Sequence, residues 1–253
     1  MLPKLVMFDY GETLAHEAHY STRRGFAGIL PYACENPANA DADTLYARYR
    51  DAYEELRQQG QRIGVEIPNA ARWRWVCDML DIRFSLPTAE LEEVFWDAAA
   101  PCTPTPGMPR LLALLREKGI RTGVISNMGF SGAALTRRLQ KTFPEHRFDF
   151  VISSADYILR KPDPHIFALG LHRAGCRAEE AWFLGDNLRC DILGAASAGI
   201  LPVYYALDLG DAYREPQDVD ALPAHLVIED WSELIRMMEN GGIDAGALTG
   251  AGV

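Results

Sequence analysis

The sequence has few cysteines, and their spacing supports no role that depends on sulfur chemistry. Five occur in 253 residues. An odd number argues against a closed disulfide framework, and no two cysteines have the short spacing of a zinc site. We therefore expect reduced thiols that serve in packing, at Cys34, Cys77, Cys102, Cys176 and Cys190.

The sequence also lacks long apolar runs and the features of an export signal. No stretch approaches the roughly 20 apolar residues needed to span a bilayer, so we expect no membrane association. The first four residues lead directly into an apolar run, without the charged and apolar regions of a secretory signal. With 48% hydrophobic and 24% charged residues, the composition is typical of folded soluble proteins. The expected location is therefore the cytoplasm.

Positive charge is scarce. The chain has 25 Lys and Arg against 35 Asp and Glu, a formal net charge of -10. Nucleic-acid binding needs Lys and Arg clustered on one face, and no such cluster is visible, so no nucleic-acid partner is expected. A small anion can still bind, because local donors and a bound cation outweigh the overall charge at short range. No pattern predicts the oligomeric state.

Apolar runs typical of buried strands alternate with helical segments along most of the chain. Helical spacing occurs at residues 111–115, 133–139 and 166–173, and a glycine follows the first and the last of these segments. This alternation predicts an α/β fold with a doubly wound parallel sheet, in which ligands lie beyond the carboxyl ends of the strands. The predicted strands are Leu5–Phe8, Thr122–Ser126, Phe150–Ser153, Ala181–Leu184, Leu201–Tyr205 and Leu226–Ile228.

One long segment interrupts the alternation. Residues 15–101 show successive helical patterns, clearest at 43–59 and 70–80, and no convincing strand. Thr88 is a possible start of a further helix, and four prolines between 101 and 109 mark the return to the core. We predict a helical cap over 15–101, inserted into a core of residues 1–14 and 102–240. The glycine-rich tail, 241–253, is expected to be mobile.

Side chains suited to catalysis follow the predicted strands. Taken singly, each has an ordinary explanation as a helix cap, a turn residue or a surface charge. Because the carboxyl ends of parallel strands meet at one edge of a sheet, we expect Ser126 to lie beside Asp9, with Asp186 at the same edge. In chain order the candidate side chains are Asp9, Ser126, Asn127, Lys161, Asp186 and Asp191.

In order and spacing these residues resemble the four motifs of the haloacid dehalogenase-like superfamily. The family's first motif is Asp-x-Asp-x-Thr at a strand end, with the first Asp as nucleophile, and here it reads Asp9-Tyr10-Gly11-Glu12-Thr13. The resemblance extends to about Glu239. It implies a Rossmann-like core, a helical cap that closes over the site, and membership of the helical-cap, phosphatase-like branch. Gly11 stands where the second Asp, the usual general acid/base, is expected.

The resemblance also implies roles for the site residues. A carboxylate that attacks a phosphoryl group needs positive charge and fixed donors around it. Asp9, Lys161 and Ser126 are the implied catalytic residues, and Mg²⁺ is the implied cofactor, since it prefers oxygen ligands. The implied metal set is Asp9, the Gly11 carbonyl, Asp186 and, behind them, Asp191. The implied phosphate-binding set is Ser126, Asn127, Lys161, Gly11 and Glu12, with Thr13 as a brace for the loop.

The glycine at position 11 leaves the acid/base step open. General acid/base help is typically worth about 10²–10⁴ in rate. Without it, the protein should favour acyl or aryl phosphates, which have good leaving groups, or accumulate an aspartyl phosphate. Glu12, His16, His19 and Tyr20 are candidate substitutes, although residues at a cap hinge more often serve packing.

Two branches of the superfamily with other chemistry fit less well. The dehalogenases resemble Asp-x-Tyr-Gly-Thr at the first motif and dispense with magnesium, whereas here Tyr10 is one place early and the later acidic residues remain. Phosphonate-cleaving relatives form a Schiff base with a cap lysine, and residues 15–101 contain no lysine.

The predicted function is magnesium-dependent hydrolysis of a small phosphorylated metabolite through an aspartyl-phosphate intermediate. The alternative is a catalytically impaired member that binds a phosphorylated metabolite or another protein. Four cap residues, Arg72, Trp73, Arg74 and Trp75, either line a substrate pocket or divide between packing and solvent.

Overall fold

The computed structural model describes residues 2–210, 217 and 219–250. Its strands are β1 Leu5–Phe8, β2 Ala15–His16, β3 Ala33–Glu35, β4 Arg83–Phe84, β5 Thr103–Pro104, β6 Arg121–Ser126, β7 Phe150–Ser153, β8 Ala181–Gly185, β9 Leu201–Tyr205 and β10 Leu226–Ile228. Its α-helices are α1 Thr22–Ile29, α2 Ala42–Arg62, α3 Asn69–Met79, α4 Thr88–Ala99, α5 Met108–Glu117, α6 Gly132–Thr142, α7 Ser154–Tyr157, α8 Pro164–Ala174, α9 Gly194–Ser197 and α10 Trp231–Glu239.

The predicted parallel α/β sheet is confirmed. Six strands pair in the order β10-β9-β8-β1-β6-β7, and each pair is parallel. All four residues of β1 are buried, as expected for an apolar run covered on both faces. Strand β1 lies between β6 and β8, with Leu5 opposite both Arg121 and Ala181. Asp9, the residue after this central strand, therefore lies at the middle of the carboxyl edge of the sheet.

Residues 22–99 add four α-helices that lie outside this sheet. The two connecting segments pair with each other as β2 and β5, with Ala15 opposite Pro104 and His16 opposite Thr103. We propose this pair as the boundary between cap and core. The expectation of no strand in this segment was wrong for β2, β3 and β4, which are two or three residues long, too short for an alternating pattern.

Aromatic contacts hold the cap against the loop that follows β6. The Trp96 and Phe130 rings stack with centroids 4.1 Å apart, and Trp73 packs edge to face against Phe130 at 6.1 Å. A buried ion pair between cap Glu66 and core Arg160 adds a polar contact, and Ser154 Oγ donates to Glu66 Oε2 at 2.7 Å. The cap thus contacts the core at two places, the loop after Ser126 and the residue before Lys161.

The part of the tail within the described residues contacts the core. His225 and Thr249 exchange two backbone hydrogen bonds, of 2.9 and 2.8 Å. Ile243 and Leu248 pack against the main apolar cluster, and residues 251–253 lie outside the described residues. All five cysteines are free, as expected. Among the described helices, none is long and apolar enough to cross a membrane.

Candidate active site

Lys161 connects two carboxylates at the carboxyl edge of the sheet. Its Nζ lies 2.7 Å from Asp9 Oδ1 and 2.6 Å from Asp191 Oδ1. The backbone of Lys161 is held by Asn127, whose Oδ1 accepts from the lysine N–H at 2.8 Å and whose Nδ2 donates to the lysine carbonyl at 2.9 Å. Asn127, predicted from the sequence to bind phosphate, thus positions the lysine backbone.

Three carboxylates surround one point at this edge. Asp9, Asp186 and Asp191 each offer an oxygen, and these oxygens lie within 4.8 Å of one another. Asp191 belongs to a π-helical turn, Leu188–Leu193, and accepts a hydrogen bond of 3.0 Å from the Asn187 N–H. Its side chain lies so close to Gly185 that a Cβ there would come within 2.3 Å of the carboxylate. The glycine that ends β8 is therefore needed for the cluster to form.

Burial and charge together shift the pKa values of the cluster. Burial would lower the pKa of Lys161, but the Asp191 and Asp9 carboxylates raise it above its ordinary value of 10.5. Burial raises the pKa of Asp191 to about 6, against the opposing pull of Lys161. Lys161 is thus a cation at neutral pH.

Open space surrounds Gly11. A Cβ built on this residue has no heavy atom within 4 Å, and its φ is outside the positive range. Thr13, two residues later, places its hydroxyl 3.4 Å from Asp186 Oδ1. The fold therefore accepts a side chain at position 11, and glycine is not required there by the backbone.

Glu12 does not supply the carboxyl group that is missing at Gly11, because its contacts are with the linker to the cap. Its backbone is left-handed, with φ of 56°, and its N–H donates to the Ala15 carbonyl at 2.8 Å. Its carboxylate lies 2.9 Å from His16 Nδ1 and is buried. Both the N–H and the carboxylate of Glu12 thus contact the linker to the cap.

A cavity of about 870 Å³ separates the cluster from the cap. Of the four cap residues considered above, Arg72 lines it, whereas Trp73 packs against Phe95 and Phe130 and both Arg74 and Trp75 are exposed. The predicted site residues that line the cavity are Asp9, Gly11, Glu12, Ser126, Asn127, Lys161, Asp186 and Asp191, together with the candidate substitutes His19 and Tyr20.

Comparison with known proteins identifies the family. A sequence profile of haloacid dehalogenase-like hydrolases matches residues 3–199. The chain belongs to this family. The membership of the superfamily that the motifs predict is thereby confirmed.

The relatives and solved structures that resemble the chain include a phosphatase and a dehalogenase. The chain is 34% identical over 137 residues to the glyceraldehyde 3-phosphate phosphatase of Methanothermobacter thermautotrophicus, covering 53% of the chain and 58% of that protein. It is 25% identical to the human haloacid dehalogenase-like hydrolase domain-containing protein 3, covering 93% of the chain and 94% of that protein. A 2-haloacid dehalogenase from Pseudomonas syringae has the same fold, with 23% identity and a TM-score of 0.60 over 95% of this chain and 99% of that one.

Sequence reasoning missed a partly buried polar network at the cap hinge. Tyr10, next to Asp9, donates to Glu17 Oε1 at 2.6 Å. The same carboxylate accepts from Trp96 Nε1 at 3.0 Å and lies 2.7 Å from Arg138 Nε. Arg138 comes from core helix α6, whereas Trp96 comes from cap helix α4. Residues so far apart along the chain carry no local pattern that could have revealed the network.

Proposed function

We propose that the protein is a magnesium-dependent phosphatase that acts on small phosphorylated metabolites through an aspartyl-phosphate intermediate. One observation carries the proposal: Lys161 bridges Asp9 and Asp191 beside Asp186, at the bottom of a cavity large enough for a small metabolite. The metabolite phosphatase among the relatives supports the same reaction class.

The donor set fits a divalent cation. Three carboxylate oxygens within 4.8 Å are hard ligands of the kind that Mg²⁺ prefers. Three carboxylates against one ammonium leave two negative charges, which a divalent cation would neutralise. Asp9, Asp186, Asp191 and the Gly11 carbonyl are the proposed ligands, and the bound cation would supply positive charge to the phosphoryl oxygens.

The proposed first step is an in-line displacement at phosphorus. A carboxylate oxygen of Asp9 forms a bond to phosphorus, while the bond from phosphorus to the leaving oxygen breaks and its electron pair stays with that oxygen. Lys161 Nζ, 2.7 Å from Asp9 Oδ1, would orient the nucleophile and neutralise phosphoryl charge. Ser126, at the end of β6, would donate its hydroxyl to another phosphoryl oxygen. Water then cleaves the aspartyl phosphate and releases inorganic phosphate.

The leaving oxygen has no acid beside it at position 11. Glu12 is next in sequence, but its carboxylate lies against His16, toward the hinge. We therefore propose that good leaving groups react fastest, because they need the least protonation.

The test is phosphate release from acetyl phosphate and from an aryl phosphate, with magnesium and with excess chelator. We expect release with magnesium and a loss of about 10²-fold or more with chelator, since the cation supplies transition-state charge stabilisation. The same activity with chelator would contradict the metal dependence. No release from either compound would favour the alternative, a catalytically impaired protein that binds a phosphorylated metabolite or another protein.

Magnesium should also stabilise the fold in a pH-dependent manner. The pKa of Asp191 is raised to about 6 from an ordinary 3.8, so folding takes up a proton here and the metal-free protein loses stability as pH rises from about 4 to 6. Magnesium binds the ionised carboxylate, so its stabilisation grows over the same range. Thermal unfolding at pH 5 and pH 8 should show the larger magnesium-induced rise in Tm at pH 8. An equal rise at both pH values would contradict a site that includes Asp191.

A further inference from the structure

Three arginine side chains are buried in the described part of the chain, and two of them have carboxylate partners. Arg72 is 4% exposed, Arg138 5% and Arg160 3%. Arg138 is paired with Glu17 and Asp97, and Arg160 is paired with Glu66. Within the described residues, Arg72 has no carboxylate within ion-pair distance. Arg72 is therefore a buried cation without a buried anion.

The contacts of Arg72 fix its guanidinium but leave donors unused. Nη1 donates to the Tyr49 hydroxyl and Nη2 donates to Asn69 Oδ1, both neutral groups, while Nε has no partner among the described residues. A guanidinium has five N–H donors, so most of its hydrogen-bonding capacity is unsatisfied. A buried guanidinium with unused donors favours an anionic partner, because an anion would accept from these donors and offset the charge.

The guanidinium is held at the cap side of the catalytic cavity. The Asn69 N–H donates to the Gly129 carbonyl at 2.7 Å, and Gly129 follows Ser126 by three residues. A Cβ on Gly129 would lie 2.4 Å from Arg72 Nη2, so the arginine rests on the same loop that carries the proposed phosphate ligand. Arg72 and Asp9 line one cavity.

Other acidic side chains of the cap and hinge that line this cavity are already engaged. Glu54 accepts from Arg57 Nη2 at 2.9 Å and from Gln58 Nε2 at 3.0 Å. Glu66 is paired with Arg160, and Glu17 is paired with Arg138. The protein thus provides a partner for these carboxylates and leaves the anion for Arg72 to come from a ligand.

We propose that Arg72 binds a second anionic group of the substrate, on the leaving-group side of the phosphoryl group that Asp9 attacks. The proposal rests on the proposed phosphatase function and narrows its substrates to metabolites with a carboxylate or a second phosphate. Both groups match the planar fork of a guanidinium, which can form two parallel charge-assisted hydrogen bonds to either.

Two matched substrate pairs distinguish a carboxylate from a second phosphate as the anion that Arg72 binds. The first pair is 3-phosphoglycerate and glycerol 3-phosphate, which differ by a carboxylate. The second is propane-1,3-diol bisphosphate and its monophosphate, which differ by a phosphate. In at least one pair, we expect the wild type to favour the doubly anionic member by about 10- to 100-fold in kcat/KM, the range of a charge-assisted contact. Equal kcat/KM values within both pairs would overturn the proposal.

Variants then test whether Arg72 is the cause of the preference. Arg72→Gln should lower the ratio of kcat/KM within the favoured pair to about one. Arg74→Gln, an exposed arginine on the same helix, is the matched control and should keep the wild-type ratio. If Arg72→Gln does not fold, Arg72→Lys replaces it and should reduce the ratio, because an ammonium lacks the fork. An unchanged ratio in the folded Arg72 variant would contradict the assignment.

A binding measurement separates failure of this inference from failure of the phosphatase proposal. Phosphonoacetate and ethylphosphonate differ by a carboxylate and contain no hydrolysable ester. Calorimetry with magnesium should show tighter binding of phosphonoacetate to the wild type and a smaller difference in the Arg72 variant. If no compound releases phosphate but this difference is present, the phosphatase proposal fails and the anion site stands. If phosphate is released while neither the substrate pairs nor this binding pair shows a preference, the anion site alone fails.

Discussion

The substitution Asp9→Asn is expected to lower magnesium-dependent phosphate release by ~10⁴-fold or more, because an amide oxygen is too weak a nucleophile to form the aspartyl phosphate. The amide has nearly the shape of the carboxylate, and its Oδ1 can still accept from Lys161 Nζ, which lies 2.7 Å from it in the wild type. Initial rates with acetyl phosphate, corrected for spontaneous hydrolysis, measure the effect.

The matched control is Asp43→Asn, which removes an exposed carboxylate of cap helix α2 that is paired with Arg23. This variant should retain the wild-type rate, since its ion pair lies in solvent. Far-UV circular dichroism and thermal unfolding should show that both variants are folded. A folded Asp9→Asn protein with the wild-type rate would rule out Asp9 as the nucleophile and, with it, the proposed intermediate.

The strands, and the candidate catalytic residues that follow them, could be predicted from the sequence because each signal is local. A buried parallel strand is an apolar run, and the predicted Leu5–Phe8 and Phe150–Ser153 have the bounds found in the structure. Since the carboxyl ends of such strands share one edge, Asp9 and Asp186 could be placed together without knowledge of any contact. Lys161 and Asp191 lie beyond the strand ends, in a loop and a helical turn, and their ion pairs with each other and with Asp9 are seen only in the structure.

Contacts between the cap and the core could not be predicted, since they depend on how two units dock. Arg72 and Arg74 are two residues apart on one helix and have the same side chain, yet one is buried over the cavity and the other is exposed. An alternation of Arg and Trp does not reveal which arginine faces inward. In the same way, Asn127 resembles a phosphate ligand in sequence, and only the fold shows that its amide holds the backbone of Lys161.

Restoring the missing carboxyl is the second large effect that we expect. Gly11→Asp should raise phosphate release from a substrate with a poor leaving group, such as glycerol 3-phosphate, by about 10²- to 10⁴-fold, the usual worth of general acid/base catalysis. The structure has room for the change, because a Cβ at this position meets no heavy atom within 4 Å and the glycine lines the cavity. For an aryl phosphate the gain should be smaller, because its leaving oxygen needs less protonation.

Comparison of the rates with the two substrates shows whether the new carboxyl acts as a proton donor. Gly11→Asn has the same size without the proton, and it should leave the ratio of the two rates near the wild-type value. A carboxyl that only attracts more magnesium would accelerate both substrates alike, so the ratio distinguishes proton transfer from metal binding. If Gly11→Asp folds and both rates stay at the wild-type level, protonation of the leaving oxygen does not limit the reaction of this protein. The open space at Gly11 would then be better explained as room for a substrate group.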